Sequence, residues 1–366
     1  MNLDKIKIIN TKDFENYINS KIDGLNFKVS KNKSIEIQPE QTEMLCKLFQ
    51  SKSTEWSNGF IKVLLNDILK KPNRYNGKVY EALVYSWLDN HNVRFKPQEK
   101  VLSKDCFKAH DYEADGIIDG NIYFDVKQFG IALPHLDTLK RKLQEKVPES
   151  YYVTVEGTKN ISTRVLEKKY LSRLPQLVEE IMSEENKLYC DYLYKDNDSG
   201  IEIKLHNREH GNIFASISEF DPYEWAEKNQ FYFMRHASQF CMNSPYIIIC
   251  PFDGNCCGFF LGRDTREVYD MLRPLCRRMF MNLINIKDRD IREFDDNARE
   301  GIKVSTAARN VSAIVFLDVS KEYSFSEARI WAFLNPNADN KILNYQTNQL
   351  FGLKGACVED FRFDNY

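Results

Sequence analysis

Hydrophobic and polar positions change period repeatedly along this chain, and the changes mark out its elements. After the turn-forming "PNRYNG", the segment "KVYEALVYSWLDNH" places Val79, Leu83, Trp87 and Leu88, with Ala82 and Val84, on a broad apolar surface. That pattern predicts a helix buried against a sheet. "VRFKPQEKVL" reads as an extended segment, "EADGIID" as a second strand and "NIYFDVKQFG" as a third. A tight turn through "DG" and "N" joins the last two.

Upstream, "PEQTEMLCKLFQ" and "IKVLLNDILKK" are amphipathic helix candidates, the second ending at Pro72, so residues 1–72 read as a partly helical lead-in. Downstream, helical patterns ("LDTLKRKLQEKV", "LSRLPQLVEEIMSEE", the aromatic "PYEWAEKNQFYFMRHASQF") alternate with strand-like ones ("YYVTVEG", "GIEIKLH", "NIFASISEF", "PYIIICPF", "VSAIVFLDV", "RIWAFLNPN"). The expectation is a mixed α/β protein. Either the nearer helix and strand, "LDTLKRKLQEKV" and "YYVTVEG", close the sheet begun by the hairpin, or "PYIIICPF" does so and 131–222 is an inserted α+β segment within a domain of 73–366. The unbroken apolar run of "YIIIC" is the better buried strand and favours the second parse.

Composition changes this picture little. At 366 residues, 43% hydrophobic with 24 Phe and 19 Tyr, the chain can bury a large core. A net charge of -2, from 51 basic and 53 acidic residues, means any attraction to nucleic acid must be local. Nine cysteines without regular spacing suit free thiols in a reducing compartment. With no signal-like apolar start and no apolar run of spanning length, the expectation is a cytoplasmic protein without membrane contact. No phosphate-cradling G-x-x-x-x-G-K-[ST] occurs, so nucleotide hydrolysis has no support.

The candidate chemistry lies in the hairpin. Period-2 geometry puts Asp125 and Lys127 on one face of their strand and turns Val126 to the other. Pairing with the preceding strand brings Asp115 beside Asp125, because facing residues have Cβ atoms about 5 Å apart. Two carboxylates then converge with one ammonium, and Glu81, an acid inside the apolar helix, can add a third. Hard oxygen donors of this kind suit Mg²⁺, which keeps waters and shares its shell with substrate phosphate. Glu113 falls on the side of Asp115 and is a supporting candidate, as is Gln128, whereas Asp119 belongs to the turn. Arg273, Arg277 and Arg278 in "RPLCRRMFMN" form a weaker, phosphate-gripping candidate. "HNREHG" and the paired Cys256 and Cys257 lack the spacing of zinc sites.

These residues resemble the PD-(D/E)xK nuclease superfamily, with its restriction-endonuclease-like fold: a Glu-bearing helix followed by a hairpin with Asp and (Asp/Glu)-x-Lys, matched by Glu81, Asp115 and "DVK" at Asp125 to Lys127. Ala114 stands where the family's proline would, a position that varies widely. A weaker echo lies in "RHASQF" before "PYIIICPF", in "VSAIVFLD" and in "FLNPNA". The resemblance implies Mg²⁺-dependent DNA cleavage, with one or two ions per site and Mn²⁺ as a substitute. Its implied ligands are Asp115, Asp125 and the Val126 carbonyl, joined by Glu81. It also implies a prokaryotic restriction or phage-defence setting, with any methyltransferase or defence partner unspecified. Cutting both strands needs two sites, hence the expectation of a homodimer. The alternatives are a repair or structure-specific nuclease, or a non-catalytic DNA-binding module on the same fold.

Overall fold

The structure is a computed structural model that describes residues 7–37, 46, 61–62, 65–66, 75–130, 134–157, 163–209, 221–252, 264–319, 329–352, 356–361 and 364. Its centre is a seven-stranded mixed sheet. In spatial order the strands are β13 (Cys357–Glu359), β12 (Arg329–Leu334), β11 (Ala313–Asp318), β10 (Tyr246–Phe252), β5 (Ile122–Val126), β4 (Tyr112–Ile118) and β3 (Phe95–Val101). The first three strands in sequence, β3, β4 and β5, form an antiparallel meander. From β5 the sheet continues through parallel β10 and β11, then antiparallel β12 and a short parallel β13.

Strand β10 shows why its apolar run is unbroken. Ile247 and Ile249 enter one core, with α2 (Tyr75–Asn90), while Tyr246, Ile248, Cys250 and Phe252 enter the core on the opposite face. A strand covered on both sides has no solvent face to make polar, so the alternation disappears. Helix α2 contributes Ala82, Leu83, Val84, Trp87 and Leu88 to the first core, against Phe124 and Val126 of β5. Together the layers make a mixed α/β fold, a mixed central sheet flanked by helices.

Strand β10, and not β6 (Tyr151–Glu156), pairs with β5. Residues 134–209 between them build a separate antiparallel sheet in the order β6, β9 (Ile201–Asn207), β8 (Asp191–Asp196), β7 (Lys187–Leu188). Helices α3 (Pro134–Gln144), α4 (Thr163–Lys169) and α5 (Leu174–Ile181) accompany it, and Leu139, Leu166, Leu177 and Ile203 form its own apolar cluster.

At the N-terminus, β1 (Lys7–Asn10) pairs with β2 (Ser34–Ile37) around α1 (Thr11–Lys21), whose first turn is capped by Asn10 Oδ1 accepting from the Lys12 N–H at 2.8 Å. Phe14 and Ile18 of α1 share the α2 core. Of the two amphipathic candidates in this region, only Cys46, Ile61, Lys62, Leu65 and Asn66 are among the described residues, all helical. "NIFASISEF" lies outside them.

Two helical expectations need correction. The aromatic segment is not one helix: α6 (Pro222–Lys228) stops at Asn229, whose amide donates to the Trp225 carbonyl at 2.8 Å, and a 3₁₀ segment, Tyr232–Gln239, follows. The arginine-bearing helix α7 (Thr265–Arg277) contains Pro274 and passes into a π-helical turn at Arg278–Asn282. Proline's missing N–H and its ring disturb the regular ladder there. Among the described residues no helix is long and apolar enough to cross a membrane.

Gly116 fixes the closeness of β4 and β5. A Cβ there would lie 2.5 Å from Phe124 Cζ and 2.9 Å from the Lys96 carbonyl oxygen. Since the second neighbour is backbone, relaxation has little room. Gly116→Ala is therefore expected to destabilise the fold by about 1–3 kcal/mol, read as a lower urea midpoint. An unchanged midpoint would show that the strands are not packed this tightly.

Candidate functional site

Strands β4 and β5 pair as Gly116 with Phe124, Ile117 with Tyr123 and Ile118 with Ile122. The same register carried one step further sets Asp115 across from Asp125. At that step side chains take over from the backbone ladder. The Asp115 N–H donates to Asp125 Oδ1 at 3.1 Å, and the Val126 N–H donates to Asp115 Oδ2 at 2.7 Å. Each aspartate thus satisfies a backbone donor on or beside the other strand's aspartate. On its other side β5 stays pinned to β10: Lys127 N–H donates to the Ile249 carbonyl at 2.8 Å and Phe129 N–H to that of Pro251 at 3.0 Å.

The remaining groups gather around this exchange. Asp125 is 1% exposed, and its Oδ2 accepts from the Tyr246 hydroxyl at the start of β10. The Lys127 ammonium lies 3.9 Å from Asp125 Oδ1, with the lysine side chain 18% exposed. From α2, the Tyr85 hydroxyl donates to the Asp115 carbonyl oxygen at 2.6 Å. Glu81, 9% exposed, stands one turn before Tyr85 on the same helix face. The Tyr85 ring is stacked on Phe95 of β3 at 5.5 Å, which fixes that side of the cluster to the sheet edge.

Electrostatics confirm that these groups sense one another. Burial, followed by the charges of Glu81 and Asp125, pushes the Asp115 carboxyl up to about 8 against the opposing pull of Lys127 and the Val126 N–H. Burial alone would lower the Lys127 ammonium, but Asp125, Asp115 and Glu81 together hold it above the ordinary lysine range. Tyr85 and Tyr246 lie well above the phenol range, first through burial and then through the neighbouring carboxylates, so both remain hydrogen-bond donors.

Of the sequence-derived candidates, Glu81, Asp115, Asp125 and Lys127 are brought together, with Val126 inside the exchange. Glu113 and Gln128 are both exposed, and neither makes a hydrogen bond to the cluster among the described residues, although the Glu113 charge acts on Tyr85. Glu113 lies opposite Lys100 in the β3–β4 ladder. Asp119 (φ +49°) and Gly120 (φ +73°) are the left-handed pair of the turn.

The three arginines are each engaged by carboxylates of the chain. Arg273 pairs with Asp364 at 2.6 Å and Glu359 at 3.3 Å, Arg277 with Asp364 at 2.9 Å and Arg278 with Glu227 at 3.5 Å. Two of them clamp the C-terminal segment and are committed to carboxylates. His206 lies on the separate sheet, 3.3 Å from Asp191 and 3.2 Å from the Thr154 hydroxyl, whereas His210, Cys256 and Cys257 lie outside the described residues. Sequence reasoning missed Tyr85 and Tyr246. Only the apolar setting of Tyr85, and the tyrosine heading the "YIIIC" run, pointed to them.

The cluster offers oxygen donors only: the carboxylates of Glu81, Asp115 and Asp125, and the Val126 carbonyl. With three acids to one ammonium, and one of the acids pushed up to about 8 by its burial and its acidic neighbours, the donor set is of the kind that suits a hard divalent cation. Among the described residues, no three His, Cys, Asp or Glu side chains are drawn close enough to enclose an ion. An ion held here would complete its shell with water or substrate, as Mg²⁺ does. No family model, no curated protein and no solved structure matches the chain.

The raised Asp115 carboxyl sets a pH dependence. Below about pH 4 it is neutral in both folded and unfolded chains. Between there and about 8 the unfolded chain has lost the proton and the folded one keeps it, so stability falls as pH rises. Asp115→Asn can still accept from Val126 and carries no such penalty. In EDTA its melting temperature is expected to exceed that of the wild type by about 2–4 °C at pH 8, with the gap closing near pH 4. A gap independent of pH would place the buried charge elsewhere.

Proposed function

We propose that this chain is a metal-dependent DNA endonuclease of the PD-(D/E)xK type, with a restriction-endonuclease-like core, acting in prokaryotic restriction or phage defence. The observation that carries the proposal is the exchange between Asp115 and Asp125 at the point where β4 and β5 cease to pair, with Lys127 3.9 Å from Asp125 and Glu81 acting electrostatically on both Asp115 and Lys127. The order of elements supports it too: a Glu-bearing helix, a hairpin carrying Asp and Asp-Val-Lys, and a parallel strand beside the second acid.

In this reading Asp115, Asp125, the Val126 carbonyl and Glu81 hold Mg²⁺, one ion or two per site, with Mn²⁺ able to substitute. When bound, the ion supplies Lewis-acid neutralisation of phosphate charge and makes water more acidic. The chain's own residues do the remainder. Asp125 is fixed by the Asp115 N–H and the Tyr246 hydroxyl, so its orientation costs nothing when substrate arrives. Lys127, on the β5 backbone held by β10, keeps a permanent positive charge beside the acids. There it orients the attacking water and stabilises negative charge growing on the phosphate oxygens. Two-strand cutting calls for a homodimer in the cytoplasm.

The test is incubation of plasmid and linear DNA with Mg²⁺ or EDTA. The wild type is expected to cut only with Mg²⁺, and Asp125→Asn and Lys127→Ala to cut at least about 100-fold more slowly. Metal-dependent cutting left intact by both substitutions would falsify the site. Failure of the wild type to cut any DNA, with binding retained, would favour a non-catalytic DNA-binding module, and cutting confined to branched or damaged DNA a repair enzyme.

A further inference from the structure

Tyr246 is more than a core residue. Its side chain is fully buried, and each part of it is fixed. The backbone N–H donates to Ser312 Oγ at 2.9 Å, the carbonyl accepts from the Ser312 N–H at 2.8 Å, and the ring packs at 5.4 Å against buried Phe240. Its hydroxyl ends on Asp125 Oδ2. Asp125 therefore has its two oxygens committed differently. Oδ2 points inward to a donor that cannot follow it elsewhere, while Oδ1 faces the Asp115 N–H and, at 3.9 Å, the Lys127 ammonium.

With Oδ2 turned inward to the phenol, a carboxylate held in this way presents a cation with Oδ1 in preference to both oxygens together. That restriction separates ions. Mg²⁺ takes six ligands at about 2.0–2.1 Å with near-octahedral angles and accepts single carboxylate oxygens alongside water. Ca²⁺ is larger, takes six to eight oxygens at about 2.3–2.6 Å and gains from two-oxygen carboxylate contacts. Resting on the reading that Asp125 is a cation ligand, we propose that Tyr246 is the positioning residue that makes the site select Mg²⁺ over Ca²⁺, by holding Asp125 to one-oxygen coordination. Tyr246→Phe removes only the hydroxyl and leaves the ring's packing in place. Oδ2 then becomes free to turn outward, which favours the larger ion.

The experiment is calorimetric titration of the full chain with Mg²⁺ and with Ca²⁺, without DNA, for the wild type, Tyr246→Phe, Phe240→Leu and Asp115→Asn, with urea denaturation as the check on folding. The ratio of Mg²⁺ to Ca²⁺ affinity is expected to fall about 10-fold in Tyr246→Phe. It should fall by less in Phe240→Leu, which keeps the hydroxyl but loosens the ring behind it. A merely structural role would weaken both ions together, so equal losses or an unchanged ratio, with wild-type binding lost in Asp115→Asn, overturn the role of Tyr246 and leave the metal reading standing. If neither ion binds the wild type, or Asp115→Asn binds like the wild type, the metal reading fails and this inference with it. Should Tyr246→Phe not fold, an unchanged ratio in Phe240→Leu overturns the proposal by itself.

Discussion

The exchange between Asp115 and Asp125 is the interaction on which the rest of the cluster depends. Two antiparallel strands that stop pairing inside a protein leave backbone donors that must find acceptors. Here the acceptors are the two carboxylates themselves, one taking the Asp115 N–H and the other the Val126 N–H. The strands can separate because their separation is satisfied by acidic side chains. This gives one pair of residues two tasks, closing the hairpin's hydrogen bonding and presenting negative charge. Neutral side chains such as Asn could do the first and not the second.

That arrangement needs support on both sides. Strand β10 pins β5 through the Lys127 and Phe129 N–H groups, so β5 does not follow β4 away from the sheet. Gly116 permits the last close pairing, against Phe124, before the separation begins. From above, α2 delivers Tyr85 to the Asp115 carbonyl and Glu81 to the same region. The apolar surface of α2 sets this delivery, because the core it shares with Phe124 and Val126 fixes how the helix lies on the sheet. Packing thus places the charges, and the charges contribute little to the packing. Burying Glu81 and Asp125, with half-buried Asp115 between them, beside one ammonium is unfavourable for the fold alone, which is why the imbalance points to function.

Much of this was legible along the chain. The spacing of Asp115, the turn and Asp125 gave the register, since a hairpin turning at Asp119 and Gly120 sets one aspartate against the other. The unbroken apolar run from Tyr246 to Cys250 identified β10 as a strand covered on both faces, now seen beside β5. Less legible were contacts between residues far apart in sequence. Tyr246 meets Asp125 across 121 positions, and a tyrosine at the head of an apolar strand looks like core until its hydroxyl finds a partner. The arginines of α7 looked like a phosphate grip because their carboxylate partners, Glu359 and Asp364, lie more than 80 residues on. The aromatic helix broke at Asn229, where an amide returning to the Trp225 carbonyl outweighed periodicity.

The two phenols also decide how the cluster responds to its surroundings. Burial and the adjacent carboxylates hold Tyr85 and Tyr246 well above the range in which they could lose protons, so they donate under all ordinary conditions. Lys127 is likewise held above its usual range and stays charged. Asp115, by contrast, has its carboxyl pushed up to about 8 by burial and then by the charges of Glu81 and Asp125. Under the proposed function, a framework already held by the hydrogen bonds of Tyr85, Tyr246 and the β5 backbone would let a cation enter without the strands refolding around it.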